Sequence, residues 1–416
     1  MTQSIDGPGA GSMVQAAARQ RAALRDTASP LPRCVALLAA VASGLAVASV
    51  YYAQPLLDAI ADDLGLARAT VGVVVALTQV GYGLGLLCLV PLGDLLDRRR
   101  LIIGQSLLSV LALGVVAFAP TGTVFLAAMC AVGALAVVTQ LHVAHAAALA
   151  ASAERGRVVG TVTSGIITGI LLARTTSGVL SDLFGWRAVY QAAALANLLV
   201  VVLLLKALPA QTRRGQRLAY VRLVATVLTL FRDERVLRIR ATLALLVFMA
   251  ITVLWTPMAL ALRAPPHALS HTAVGLFGCA GALGAWGATL AGKRADRGLA
   301  QQTTGIALAL MLLSWIPMAT LTSSLWGLVA GVIVIDFALQ AVHVSNQSLI
   351  YRMRPEAQSR LTAGYMVFYS IGCAVGSIGS TLAFDSGGWI AVCALGAGVS
   401  ASALAFWAMT RHHTPG

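Results

Sequence analysis

A long apolar segment in the second half of the chain carries polar side chains at helical spacing. Asp336, Gln340, His343 and Gln347 stand at positions i, i+4, i+7 and i+11, which places them on one face of a helix, with Asn346 beside it. A carboxylate inside an apolar segment is costly and indicates function, and Asp and His can carry protons there. We therefore predict proton coupling by Asp336 and His343. The alternative for Asp336 is a hydrogen-bonded structural anchor, and the alternative for His343 is a residue that packs helices together.

Three further basic side chains lie inside other apolar segments. A guanidinium there must be paired or face water, so Arg174 is predicted to clamp an anionic substrate or to pair with Asp336; purely structural pairing is the alternative. His142 is predicted to share the proton coupling, and His145 to contact substrate unless it lies at the membrane interface. Polar residues of the first two segments are also predicted to contact substrate, and their alternative role is packing. Together the predicted substrate contacts are Arg174, Gln340, Asn346, Gln347, Tyr52, Gln54, Gln79, Tyr82 and His145.

The composition requires lipid around most of the chain. Of 416 residues, 58% are hydrophobic and 11% are charged, and the mean hydropathy is +0.84, whereas soluble proteins carry about 25% charged residues. The net charge of +14 lies in short loops and tails, which is the pattern of a membrane protein and unlike that of a nucleic-acid-binding domain. The six cysteines have no metal-ligand or redox spacing, so no metal site is predicted.

The apolar runs predict an all-α membrane protein with twelve transmembrane helices. The spans are about 34–57, 70–92, 101–119, 123–149, 158–180, 187–207, 239–262, 272–291, 300–320, 325–350, 361–383 and 389–410. Residues 1–33 and 411–416 are predicted to be tails, the first of them disordered. Residues 208–238 form a linker in which Leu218–Phe231 has the spacing of a surface amphipathic helix.

Two charged stretches separate apolar spans and mark an internal repeat. The first is Gly93–Arg100 and the second is Gly292–Gly298, and each has Gly, three residues, then Asp-Arg. Two further pairs, His142-Val143 with His343-Val344 and the sequences following Asp182 and Asp385, recur in the same order at nearly the same separation. The chain therefore consists of two pseudo-symmetric six-helix halves, 34–207 and 239–410.

The orientation follows from the placement of Lys and Arg. Of the 29 such residues, all but four fall in segments on the same side as the N-terminus; the exceptions are Arg68, Arg174, Arg187 and Arg263. Positively charged loops stay in the cytoplasm. Both termini and both charged loops are therefore predicted to be cytoplasmic.

The twelve-span repeat with a charged loop after spans two and eight resembles the major facilitator superfamily of secondary transporters. Gly93, Leu95, Asp97 and Arg98 match its signature loop Gly-x-Leu-x-Asp-Arg-x-Gly-Arg-Arg, although Arg99 and Arg100 follow directly. The sequences around Tyr51 and Arg174 are similar to a bacterial exporter branch for drugs and sugars, which implies a location in the inner membrane of a bacterium. The resemblance implies that Asp97 reaches the start of span eleven as a gate latch, that Asp296 does so at span five, and that the gating residues are Gly93, Asp97, Arg98, Gly292, Asp296 and Arg297. A plain turn carrying topological charge is the alternative.

These observations predict a proton-coupled transporter that works by alternating access. Efflux of a drug, sugar or metabolite by proton antiport is the first hypothesis, and proton-coupled import of an organic anion is the second. A membrane enzyme or receptor is the remote alternative, because the sequence has no nucleophile constellation, nucleotide loop or sensing domain. We expect no cofactor, with the proton gradient as the energy source, and a monomer whose partners are lipid, protons and a small organic substrate.

Overall fold

The computed structural model describes residues 32–151, 154–208, 220–281, 284–353 and 358–413. The predicted disordered tail therefore lies almost wholly outside the described residues. Helices dominate throughout, because backbone groups in lipid must bond within their own segment.

The first half has nine helices among the described residues, and 3-10 turns at Gln54–Leu56 and Arg68–Thr70 flank the second of them. In chain order they are α1 (Arg33–Ala48), α2 (Leu57–Leu64), α3 (Gly72–Cys88), α4 (Leu92–Leu95), α5 (Arg98–Ala117), α6 (Gly122–Ala136), α7 (Val138–Leu149), α8 (Arg155–Phe184) and α9 (Trp186–Ala207).

A linker helix precedes the second half. The remaining helices are α10 (Tyr220–Asp233), α11 (Arg235–Arg263), α12 (His271–Ala280), α13 (Gly284–Asp296), α14 (Ala300–Leu313), α15 (Trp315–Met318), α16 (Leu325–Tyr351) and α17 (Gln358–Thr410). α17 holds two spans, which separate at the non-helical residues Gly387 and Gly388. α10 lies where an amphipathic helix was predicted.

The predicted twelve-span architecture is confirmed. Eight helices of the described chain are long and apolar enough to cross a membrane, and α17 supplies two spans. Shorter helices complete the spans at α1, at α12 with α13, and at α14 with α15. Large apolar side chains such as Phe118, Leu195 and Leu111, exposed by 73%, 69% and 65%, are placed to face lipid.

Two predicted boundaries are wrong. The first span was expected to run unbroken to residue 57, but α1 ends at Ala48 and a turn leads into the 3-10 helix at Gln54. The eighth span was expected to end at about residue 291, but α13 continues to Asp296 and the chain turns at Gly298, whose φ of 75° favours glycine. Apolar composition predicts where a span lies, but it does not predict where the helix of that span ends.

The two halves contact each other along two helix pairs, α8 with α12 and α3 with α17. We call the end of the bundle with the two charged stretches the loop end and the opposite end the far end. A Cβ atom on Gly178 of α8 would lie 2.3 Å from the His271 carbonyl oxygen, and one on Gly72 of α3 would lie 2.2 Å from that of Ser377. Glycine thus permits backbone contact between the halves at the far end.

Candidate functional site

Arg174 of α8 lies at the junction of the halves and is 8% exposed. Its Nε donates a 2.8 Å hydrogen bond to Oε1 of Gln54, from the broken end of the first span. Its guanidinium carbon is 3.9 Å from the centre of the Trp255 ring on α11 and 5.1 Å from that of Tyr51. A buried cation is therefore held by one polar group and two aromatic faces, drawn from both halves.

Asp336 of α16 faces the same junction from the second half. It is 8% exposed, lies within hydrogen-bonding reach of Trp255 and interacts electrostatically with Arg174. Its Oδ2 is 3.0 Å from where a Cβ on Gly281 would stand. Of the two roles foreseen for Arg174, an interaction with Asp336 is therefore present here, and Trp255 lies beside both charged residues.

A small cleft adjoins Arg174. It has a cavity volume of about 10 Å³ and is lined by Gln54, Pro55, Arg174, Trp255, Met258, Ala259 and Val274. Ligand pockets are usually about 300–1,000 Å³. This cleft is too small for an organic substrate in the conformation described.

A layer of phenols and amides lies beside the charged pair. The Tyr51 hydroxyl is 3.1 Å from the Tyr369 hydroxyl of α17, and the Tyr82 and Tyr369 rings meet edge to face at 6.3 Å. Tyr82 also lies near the side chain of Gln140. Oε1 of Gln79 is buried without a hydrogen-bond partner in the described structure. Tyr82, a predicted substrate contact, therefore lies between the halves.

Two of the remaining polar residues of α16, His343 and Asn346, contact other residues of the second half. Nδ1 of His343 is 3.0 Å from the Tyr365 hydroxyl, and the His343 ring packs edge to face on Phe248. Asn346 is fully buried, where its Oδ1 accepts a 3.3 Å hydrogen bond from Arg240. Asn346 thus belongs to a packed network inside the second half, while Gln340 and Gln347 are partly buried.

Two predicted residues of the first half lie in tightly packed surroundings. His142 and His145 of α7 are each 2% exposed and close enough to interact electrostatically, and neither ring nitrogen of His145 has a described hydrogen-bond partner. Tyr52 packs edge to face on Tyr190 in the core of the first half. Tyr52 therefore lies in the packed core of the first half in this conformation, and its contact with substrate stays a prediction.

In this conformation the first charged stretch contacts its own half. Asp97 caps α5, where its Oδ1 accepts a 2.8 Å bond from the Arg100 amide, and Arg98 donates to the carbonyls of Gly93 and Ala144. A Cβ on Gly93 would stand 2.5 Å from a Leu141 methyl carbon, so a larger residue there would displace the Leu141 side chain.

In the second stretch Gly292 is partly buried, and Asp296 and Arg297 are exposed. The latch between Asp97 and span eleven stays a prediction for another conformation.

The family model described as Major Facilitator Superfamily matches residues 37–334. The chain belongs to the major facilitator superfamily. It is therefore a multi-pass membrane transporter that carries small molecules by secondary transport, as the sequence resemblance implied.

Bacterial relatives support this assignment over nearly the whole chain. The uncharacterized transporter YgaY of Escherichia coli O157:H7 is 44% identical over 371 residues, which cover 89% of this chain and 94% of the relative. The probable transporter SCO4007 of Streptomyces coelicolor is 34% identical over 381 residues, covering 91% and 88%.

Solved structures show the same fold. A bacterial homolog of the human lysosomal transporter Spinster, in an inward-facing and occupied conformation, has a TM-score of 0.73 at 14% identity and covers 92% of this chain and 97% of its own. The nucleoside transporter NupG has a TM-score of 0.72 at 16% identity, with coverage of 90% and 99%.

Sequence reasoning missed several residues at the junction of the halves. Trp255 and Tyr369 are aromatic residues in apolar spans, and nothing in their spacing separates them from core residues. Asp58 and His271 stand at span ends, where charge is ordinary. Only their contact across the interface distinguishes them from other residues at span ends, and the sequence repeat does not predict that contact.

Proposed function

We propose that this chain is a proton-coupled transporter that exports a small organic molecule, such as a drug, sugar or metabolite, in exchange for protons. It works as a monomer in the bacterial inner membrane, with both termini in the cytoplasm, and needs no cofactor. The observation that carries the proposal is the buried pair of Arg174 and Asp336, one residue from each half, with Trp255 beside both.

The pair supports coupling because the charge of Asp336 determines what Arg174 attracts. With Asp336 ionised, the two charges offset each other across the junction. A proton on Asp336 removes that compensation and leaves the cation with Gln54 and aromatic faces. A cationic or neutral substrate that binds at Asp336 competes with the proton, and such competition produces antiport in an alternating-access carrier.

The second candidate is proton-coupled uptake of an organic anion. The placement of Arg174 between the rings of Trp255 and Tyr51 favours it, because a carboxylate with an apolar body fits a guanidinium flanked by aromatic surfaces. An anion binds best to Arg174 when Asp336 is protonated. Anion and proton then travel together, and the result is symport.

The test uses purified protein in liposomes that contain a trapped pH-sensitive dye, against a panel of organic cations, neutral sugars and organic anions. Under the antiport proposal, adding a substrate outside drives protons out and makes the lumen more alkaline. Symport of an anion makes it more acidic.

Asp336→Asn is expected to abolish substrate-driven proton movement while substrate exchange continues. Arg174→Gln is expected to abolish anion responses alone. Proton movement that survives in Asp336→Asn refutes the coupling role. A cytoplasm-specific reporter fused to the C-terminus tests the orientation.

A further inference from the structure

A histidine lies between two carboxylates at the far end of the interface. Nδ1 of His271, the first residue of α12, is 2.9 Å from Oδ1 of Asp182 at the end of α8. Its Nε2 is 3.3 Å from Oδ1 of Asp58 on α2. Both carboxylates belong to the first half and the imidazole to the second, so these contacts exist only while the far end is closed.

Two buried atoms in this cluster face each other without a hydrogen bond. Asp58 and His271 are each 8% exposed, and neither Oδ1 of Asp58 nor Nε2 of His271 has a hydrogen-bond partner in the described structure. A neutral imidazole whose single N–H bonds to Asp182 presents a lone pair to the second carboxylate. An imidazolium donates from both nitrogens and satisfies both carboxylates.

The surrounding charges favour the protonated form. Arg263 of α11 donates to the other oxygen of Asp58 and to the Leu269 carbonyl. Asp182 also accepts from the backbone amides of His271, at 3.1 Å, and Thr272, at 2.7 Å. Two carboxylates therefore face one guanidinium and the imidazole, and the cluster is neutral only when His271 carries a proton.

The other charged residues on helices packed against α12 lie deeper in the bundle. Arg174 of α8 approaches Gly275 and Gly278, and Asp336 of α16 approaches Gly281. These two belong to the central pair and are one to three helical turns from His271. At the far end, Asp62 and Asp63 of α2 pair with Arg68 and Arg187. The charge balance at His271 itself therefore depends on the three side chains around it.

The directions of the pKa shifts of His271 and Asp58 agree with this geometry. His271 precedes the eighth predicted span, and although burial lowers its pKa, the carboxylates of Asp58 and Asp182 outweigh that effect and raise the pKa above its ordinary value. Burial likewise opposes ionisation of Asp58, but His271 and Arg263 lower the Asp58 pKa. Each partner thus favours the charged form of the other.

We propose that His271 is a second proton-binding residue of the transport cycle, whose proton holds the two halves together at the far end. When the far end opens, Asp58 and Asp182 separate from His271, and the imidazole releases its proton to the medium on that side. This site goes beyond the proposed function, because it controls access to the central pair and does not touch the substrate.

The direction of the pH effect follows from linkage. The proton is bound more tightly in the closed state than in the open one, so its contribution to closure is complete below the ordinary His pKa of about 6.5. It is lost as the pH rises through the raised value. Alkaline pH therefore opens the far end, and one proton changes the ratio of closed to open protein by at most about tenfold per pH unit.

Hydrogen–deuterium exchange of the substrate-free protein in lipid nanodiscs tests the proposal. Exchange of peptides covering 57–70 and 264–272, corrected for intrinsic rates, is expected to rise as the pH goes from about 6 to about 8.5, a range that brackets the ordinary His pKa. His271→Gln is expected to remove this dependence. The matched control is Asp385→Asn, which alters the repeat counterpart of Asp182, an exposed residue, and is expected to keep it.

Wild-type protein without the rise, or His271→Gln with an unchanged rise, overturns the proposal. If His271→Gln does not fold, Asp58→Asn replaces it and is expected to move the midpoint to lower pH; an unmoved midpoint also refutes the idea. Because no substrate is present, the outcome is independent of the transport assays on Asp336 and Arg174.

Discussion

Adding a single methyl group at Gly178 is expected to force open the far end of the interface. A Cβ there would stand 2.3 Å from the His271 carbonyl oxygen and 2.7 Å from its carbon, whereas ordinary contact begins at 3.4 Å. The obstructing atoms are backbone, so no side chain can rotate away. α8 and α12 must therefore separate by about 1 Å, as the difference between 2.3 and 3.4 Å requires.

The size of the effect follows from the cost of overpacking. One extra methyl group in a packed interface costs about 1–3 kcal/mol, which is a shift of roughly 5- to 150-fold away from the closed far end. Alanine also favours a helix over glycine by about 1 kcal/mol, but it does so in every conformation and does not shift the balance.

The assay is hydrogen–deuterium exchange of the loop 264–272 at fixed pH, with Gly160→Ala as the matched control. Gly160 lies on the same helix, and a Cβ there meets nothing within 4 Å. Gly178→Ala is expected to increase exchange in this loop several-fold, and Gly160→Ala to leave it at the wild-type level. Equal exchange in the two variants would show that the halves do not depend on this contact.

Three further predictions concern stability and gating. Asp97→Ala, which removes the helix cap, is expected to lower the free energy of unfolding by about 0.5–2 kcal/mol in a thermal assay. Asp97→Ser keeps a capping oxygen and is expected to keep the stability. If the latch prediction holds, Asp97→Ser still changes transport. Gln54→Leu removes the acceptor for Arg174 and is expected to cost about 1.5–3 kcal/mol, with Gln54→Glu retaining the wild-type melting temperature. Tyr369→Phe, which removes the hydroxyl partner of Tyr51, is expected to cost about 0.5–1.5 kcal/mol and to leave transport intact; loss of transport at normal stability would give that hydroxyl a role in the cycle.

Spans were easier to predict than the breaks within them. Runs of apolar residues must be helical in lipid, which is why segments of about 20 residues of this chain could be assigned without a structure. The end of α1 at Ala48 could not be assigned, because the following residues remain apolar. The same limit applies to α13, whose charged last turn looked like a loop.

Helical periodicity identified one face of α16 but not the partners of each residue on it. Asp336 and His343 were singled out by their spacing, and the structure places Asp336 beside Trp255. Asn346 stands next to that face in sequence, yet it turns into the second half toward Arg240. A rotation of one residue around a helix is about 100°, so a neighbour in sequence need not share a surface.

By itself, the sequence determined that lipid surrounds most of the chain. It also determined the number of spans, the internal repeat and the family, because these depend on composition and on local spacing. The tertiary structure alone decided which charges meet. Asp58 and His271 are far apart in the chain, and both are ordinary span-end residues until the two halves close. Burial then removes the water that would have solvated each of them, so that their pairing, and the proton it needs, becomes a property of the closed interface.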